Sequence, residues 1–165
     1  MPKKLSSPNI RLSREDRQAL LVDVAAEIRR YQNAQDEFDD AAVARLGINR
    51  TDGRCLDVLD QHGQMTAGRL AAATGLSSGA VTTLVDRLER AGYVRRTADK
   101  SDRRRVLIEL TAKARTRTAE IWAPIAAEWT ERSAAYTDEQ LLFLRDFLVE
   151  GREFLARHTA RIKEK

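Results

Sequence analysis

The sequence predicts a mainly α-helical fold that carries one small β-hairpin. Three observations predict it. The chain is rich in Ala, Arg, Leu and Glu, and only three Pro and eight Gly interrupt its 165 residues, a composition that favours helices. Apolar residues recur at spacings of three and four along most of the chain. Between Tyr93 and Leu110 that period changes to two, around a polar stretch suited to a turn.

Length and composition bound the answer further. The chain suits one compact domain, or a small domain with a helical extension. With 42% apolar and 33% charged residues it can build a core. Cys55 is the single cysteine, so no disulfide forms within the chain and a reducing cytoplasm is expected. No apolar run approaches the ~18 residues of a membrane span, so no membrane partner is expected. Residues 1–12 have lysines but no apolar segment of the signal-peptide kind, and read as a short flexible arm. The net charge is +4, and its location is informative. Residues 64–111 hold nine Lys or Arg and five Asp or Glu, while the rest of the chain holds 20 of each. A local basic excess between balanced flanks is the footprint of a polyanion-binding module.

The elements follow in order. Ser13 begins a long helix with Glu15 and Asp16 in its first turn, where the helix dipole favours acids. Leu20, Leu21, Val24, Ile28, Tyr31 and Phe38 mark its apolar positions, and Gly47 ends it. Its acidic run, Asp36, Glu37, Asp39 and Asp40, reads as a solvated face. Asn49 caps a second helix that stops at Gly63, with Asp52 three residues inside it and Cys55, Leu56, Val58 and Leu59 as apolar positions. Thr66 caps a short third helix ended by Gly75. Ser77 caps a fourth, in which Val81, Leu84, Val85 and Leu88 form one face and after which Gly92 stops the chain. "YVRRT" and "RVLIEL" then alternate as two strands, with Val106, Ile108 and Leu110 on one face, and "ADKSDRR" is the turn between them. Thr111 caps a helix carrying Ile121, Trp122, Ile125 and Trp129, with a kink expected at Pro124. Thr137 with Gln140 is a capping box for the last helix, which carries Leu141, Leu144, Leu148 and Leu155.

The middle of this pattern carries the functional signal. In "LAAATGLSSGAVTTLVDRLERAGYVRR" the small Ala71 lets two helices approach. Gly75, four residues on, permits a tight turn, and Val81, six further on, plugs the second helix onto the first. A basic hairpin follows. Together these make a winged helix-turn-helix, whose second helix enters the major groove while the wing reaches the backbone or minor groove. Ser77, Ser78, Thr82, Thr83 and Arg87 are the polar residues of that second helix placed to meet DNA. Arg95, Arg96, Asp102, Arg103, Arg104 and Arg105 are their counterparts in the wing.

The stretch from about Asn49 to Thr111 resembles the MarR family of bacterial winged-helix transcription regulators. The matching pieces are "GLSSGAVTTLVDRLERAGYVRR" and "DKSDRRRVLIELT". The resemblance implies that Arg104 enters the minor groove while Asp102 holds it. In extended backbone residues two apart point the same way, so Asp102 can orient the Arg104 guanidinium, and arginine suits a narrow, electronegative minor groove. The resemblance further implies three segments. They are an N-terminal dimerisation helix over 13–47, the winged helix-turn-helix over 48–111, and C-terminal dimerisation helices over 112–165. A homodimer of this kind reads a pseudo-palindromic operator in double-stranded DNA, with half-sites roughly 34–36 Å apart. The sequence departs from the family at the middle of the recognition helix. Gly79, Ala80 and Thr83 stand where a bulky polar or basic residue is common.

Family members are commonly repressors released by a small aromatic or phenolic acid bound between the dimer helices and the winged helix. Tyr31, Asp52, Arg54, Cys55 and Trp122 are the expected pocket residues here. Redox-sensing members keep a cysteine in the first helix, and this first helix has none. Cys55 lies one position before Leu56 on a helix with an apolar face and reads as a core residue. His62 and His158 with one cysteine make no metal constellation, and no cofactor is implied. Phosphate loops, nucleophile arrangements and paired catalytic carboxylates are absent, which argues against an enzyme. The rival reading is a winged helix used for protein contacts alone. The arginine cluster at the wing argues against it.

Overall fold

The computed structural model describes residues 11–164, so most of the expected arm over residues 1–12 lies outside the described residues. Leu12–Ala123 form one compact unit, and Pro124–Lys165 belong to a second.

The first unit contains α1 (Arg14–Leu46), α2 (Arg50–His62), β1 (Met65–Thr66), α3 (Ala67–Thr74), α4 (Ser78–Arg90), β2 (Val94–Ala98), β3 (Val106–Leu110) and the start of α5 (Ala112–Ser133). The helix starts are set by side-chain caps, as expected. Ser13 Oγ accepts from Asp16 N at 3.1 Å, Thr66 Oγ1 from Arg69 N at 3.3 Å and Ser77 Oγ from Ala80 N at 3.3 Å. Asn49 Oδ1 accepts from Asp52 N at 2.9 Å, and Asp52 returns the favour to Asn49 N at 3.4 Å, completing a capping box. Gly75, at φ 74°, turns α3 into α4.

The sheet is antiparallel in the order β1-β3-β2. The β2–β3 hairpin is the expected wing, with Val94 opposite Leu110 and Ala98 opposite Val106. The third strand was not expected. Met65 and Thr66 pair with Ile108 and Leu107, and two residues carry no period from which a strand can be read. A second correction concerns Val106. It belongs to the face of Ile108 and Leu110, yet it is 53% exposed while they are buried. The hairpin simply outruns the core.

That core gathers Leu59 from α2, Leu70 from α3, Val81, Val85 and Leu88 from α4, and Val94 and Ile108 from the sheet. Each such side chain stabilises the unit by about 1.5–3 kcal/mol. Several contacts join α1 to this unit. Tyr93 donates its hydroxyl to the Leu46 carbonyl at 2.7 Å. Arg50 meets Asp36, Asp40 and Asp39 at 2.8, 3.3 and 3.7 Å, so these three residues of the acidic run receive a cation instead of forming only a solvated face. Gly53 lies against Val43. At the other end, Thr111 Oγ1 donates to the Gly92 carbonyl at 2.7 Å and accepts from Ala114 N at 3.1 Å, which closes the hairpin base and starts α5. Most of α1 buries nothing. Among its residues only Ala42 and Leu46 are buried, and Leu20, Leu21, Val24 and Ile28 are exposed.

In the second unit Pro124 lies inside α5 without ending it. Thr137 and Gln140 form the expected capping box at the start of α6 (Asp138–Lys163). No residue of α6 is buried, although Phe143, Phe147, Leu148, Phe154 and Leu155 line it. Trp129 and Tyr136 rings lie 6.5 Å apart, and His158 lies 4.3 Å from Phe154.

Gly53 offers a direct test of the α1–α2 approach. A Cβ there would stand 2.6 Å from Val43 Cγ1, and a β-branched neighbour in a helix has little freedom to turn away. Overpacking costs about 1–3 kcal/mol, against a helix-propensity gain of about 1 kcal/mol. Gly53→Ala is expected to lower the urea midpoint.

Candidate nucleic-acid interface

α4 presents its apolar face to the core and its other face to solvent. Val81, Leu84, Val85 and Leu88 are buried, whereas Ser77, Ser78, Gly79, Ala80, Thr82 and Thr83 are exposed. Two clefts flank this ridge. One, of about 350 Å³, lies between the N-terminus of α2 and α4, and is lined by Thr51, Gly79, Thr83 and Arg87 among others. The second, of about 250 Å³, lies toward the wing, beside Thr82, Val85, Arg96 and Val106. Thr82 Oγ1 donates to the Ser78 carbonyl at 3.0 Å and Thr83 Oγ1 to the Gly79 carbonyl at 3.2 Å.

The longer side chains on α4 are engaged inside the domain. Arg87 grips Asp52 through Nε at 2.9 and 3.2 Å and through Nη2 at 2.5 Å. Asp52 is 1% exposed, so this ion pair puts a buried carboxylate under a half-exposed arginine. The Arg87 pKa rises because Asp52 accepts its hydrogen bonds. Asp86 is held from the wing. Arg96 Nη2 meets Asp86 Oδ1 at 2.6 Å, and Arg96 Nη1 and N both reach Glu89. The Arg96 pKa rises for the same reason, with Asp86 the largest cause.

The wing divides likewise. Arg95 pairs with Glu109 directly across the hairpin at 2.7 Å. At the tip, Ser101 donates to Asp99 from N at 2.8 Å and from Oγ at 2.7 Å, which holds the Asp99 carboxyl below its ordinary pKa. Asp102 Oδ1 accepts from Arg104 N at 3.1 Å and from Arg104 Nε at 3.2 Å. The expected Asp102–Arg104 contact therefore forms, but by a different route. Residues 103–104 lie in a turn closed by the Arg105 N to Asp102 O bond at 2.8 Å, so a local turn and not extended backbone brings the two side chains together. The Arg104 side chain is 92% exposed. Arg103 makes no side-chain hydrogen bond or ion pair among the described residues, and the Arg105 carbonyl accepts from Asp99 N at 3.0 Å while its side chain meets the Asp99 carboxylate only electrostatically.

The five expected pocket residues differ in their settings. Tyr31 and Arg54 are exposed, Asp52 lies under Arg87, Cys55 is fully buried, and Trp122 meets Phe38 edge-on at 6.1 Å between ring centroids. None of them lines either cleft beside α4. The arginine partners that sequence reasoning did not assign are Asp52 for Arg87, Asp86 and Glu89 for Arg96, and Glu109 for Arg95. Only the Glu109 pairing follows from a pattern, since the hairpin register sets it opposite Arg95.

Known proteins are similar to this chain in sequence and fold. The family model described as MarR family matches residues 48–106. The HTH-type transcriptional regulator YcgE of Bacillus subtilis (strain 168) is 38% identical over 127 residues, which cover 77% of this chain and 82% of that protein. The chain belongs to the MarR family. MarR-family solved structures share the fold. A MarR family protein from Bacillus stearothermophilus superposes with a TM-score of 0.64 at 20% identity, covering 84% of this chain and 97% of that one. The MepR Q18P mutant from S. aureus gives 0.65 at 19% identity, over 80% and 96%. This MarR-family chain is thus a winged-helix, DNA-binding transcriptional regulator and not an enzyme. No helix among its described residues is long and apolar enough to cross a membrane.

Two measurements test the geometry. Removing Arg87 leaves a buried carboxylate without its partner. Arg87→Ala is expected to cost about 2–3 kcal/mol, less than a fully buried pair because Arg87 is 43% exposed. Calorimetry of the DNA-free protein reads it, and a melting temperature unchanged from the parent would contradict the pairing. Burial pushes the Cys55 thiol up to about 12, with Asp52 adding to the effect. A group so raised stays protonated at pH 8. Iodoacetamide at that pH is expected to leave the folded protein unlabelled and to label it fully in urea.

Proposed function

We propose that the protein is a homodimeric repressor that binds a pseudo-palindromic operator and is released by a small aromatic or phenolic acid. The observation that carries the reading is the wing tip, where a carboxylate holds an otherwise exposed arginine in place. A held guanidinium loses less freedom on binding than a free one, and a narrow minor groove attracts it. Ser78, Thr82 and Thr83 meet the major groove, and Arg103 and Arg105 neutralise phosphates. Arg87, Arg95 and Arg96 act chiefly through their intramolecular carboxylate partners.

The dimer is supported by unpartnered apolar surface. α6 buries no residue within its own unit, and the N-terminal half of α1 is in the same position. Exposed faces of this size mark association surfaces. Repression and effector release rest on family membership. The exposed aromatic pair Phe38–Trp122 suits an aromatic ligand.

DNA fragments selected from a random pool supply the probe for testing. Arg104→Ala is expected to weaken their binding about tenfold at moderate salt, within the range of one specific contact. Sedimentation of both proteins is expected to give twice the 18.6 kDa chain mass. Binding of the parent must also fall steeply with salt. Unchanged affinity in the variant sinks the wing assignment, and a parent without salt-sensitive DNA binding leaves the protein-contact reading.

A further inference from the structure

The base-reading surface of α4 has an unusual chemistry. Between Ser78 and Thr83 no exposed side chain is larger than threonine. The next long side chains, Asp86 and Arg87, are bound by Arg96 and Asp52 respectively. Arg90 Nε donates to the Asp86 carbonyl. No free arginine, lysine, glutamine or asparagine therefore stands on the ridge between Ser78 and Arg87 to donate to guanine, whose major-groove edge shows only the acceptors N7 and O6.

The threonines themselves are poorly placed to donate. The Thr82 and Thr83 hydroxyl protons go to the Ser78 and Gly79 carbonyls one turn back. What each presents to a ligand is a methyl group and an oxygen able only to accept. Gly79 adds no Cβ and has open space about it, so the helix backbone can come close to base edges. The clefts on either side, beside Thr82 and beside Thr83, give room for small groups that protrude from the groove floor.

In the major groove the protruding apolar group is the thymine C5 methyl, and the donors that suit an acceptor oxygen are the adenine and cytosine amino groups. We infer that α4 recognises its half-site chiefly through thymine methyl groups packed against Thr82 and Thr83, and not through hydrogen bonds to guanine. This inference rests on the DNA-binding reading above and specifies the base chemistry it reads. It makes the operator half-site A·T-rich at its major-groove contacts, beside the minor-groove site of Arg104.

Base analogues test it without disturbing the protein. The strongest fragment selected from random DNA is remade with deoxyuridine in place of thymine, one half-site position at a time. In a second series 7-deazaguanine replaces guanine. Each contacted thymine is expected to weaken binding about fourfold on losing its methyl, the affinity equivalent of burying one such group. The 7-deazaguanine series is expected to have no effect. Thr82→Ser and Thr83→Ser keep the hydroxyl and remove the methyl. The doubly substituted protein should bind the parent fragment more weakly, yet discriminate no further against the deoxyuridine fragment. A fragment insensitive to every deoxyuridine, or sensitive to 7-deazaguanine, overturns the inference while leaving DNA binding intact. Failure of the parent protein to select any fragment overturns the DNA-binding reading and this inference together.

Discussion

The placement of α4 against α2 depends on one buried carboxylate. Asp52 sits in the first turn of α2, caps the backbone of Asn49, and holds Arg87 on α4 through three short contacts. A carboxylate at 1% exposure is stable only if its acceptor sites are filled. Filling them fixes the N-terminus of α2 against the last turn of α4. The hydrophobic core packs the same helices from the other side, but apolar contacts tolerate sliding. The ion pair supplies direction where the core supplies adhesion.

The same logic changes how the charge of this domain is counted. Residues 64–111 carry a formal excess of four positive charges, which the sequence places at Arg69 on α3 and in the wing, α4 itself being balanced. In the folded domain Arg87, Arg95 and Arg96 each face a carboxylate, and Arg96 faces two. At the wing tip Arg103 makes no side-chain hydrogen bond or ion pair among the described residues, and the Arg104 side chain stays 92% exposed. Arg96 also links the wing to α4, so these two elements are held relative to one another within the unit.

Much of this was legible in the sequence, and the reasons are local. Ser13, Asn49, Thr66, Ser77 and Thr137 mark helix starts because capping needs a short polar side chain at one position. The core face of α4 follows from a spacing of three and four. Even the Asp102–Arg104 contact follows from their separation of two, although a turn and not a strand produces it. What escaped was non-local. Arg87 and Asp52 are 35 positions apart, and nothing in either neighbourhood points to the other. Strand β1 escaped because two residues have no period. Val106 escaped because alternation assigns a face but not the place where the core beneath it ends.

Thr111 joins two parts that the sequence places on opposite sides of a boundary. Its one hydroxyl donates to the last turn before β2 and accepts from the first turn of α5, while its own N–H bonds the Tyr93 carbonyl at 3.0 Å. Such a joint has no slack. Rolling α5 about its axis must either break one of these bonds or drag the root of the wing along with it. The residue thus ties the first turn of α5 to the root of the basic hairpin.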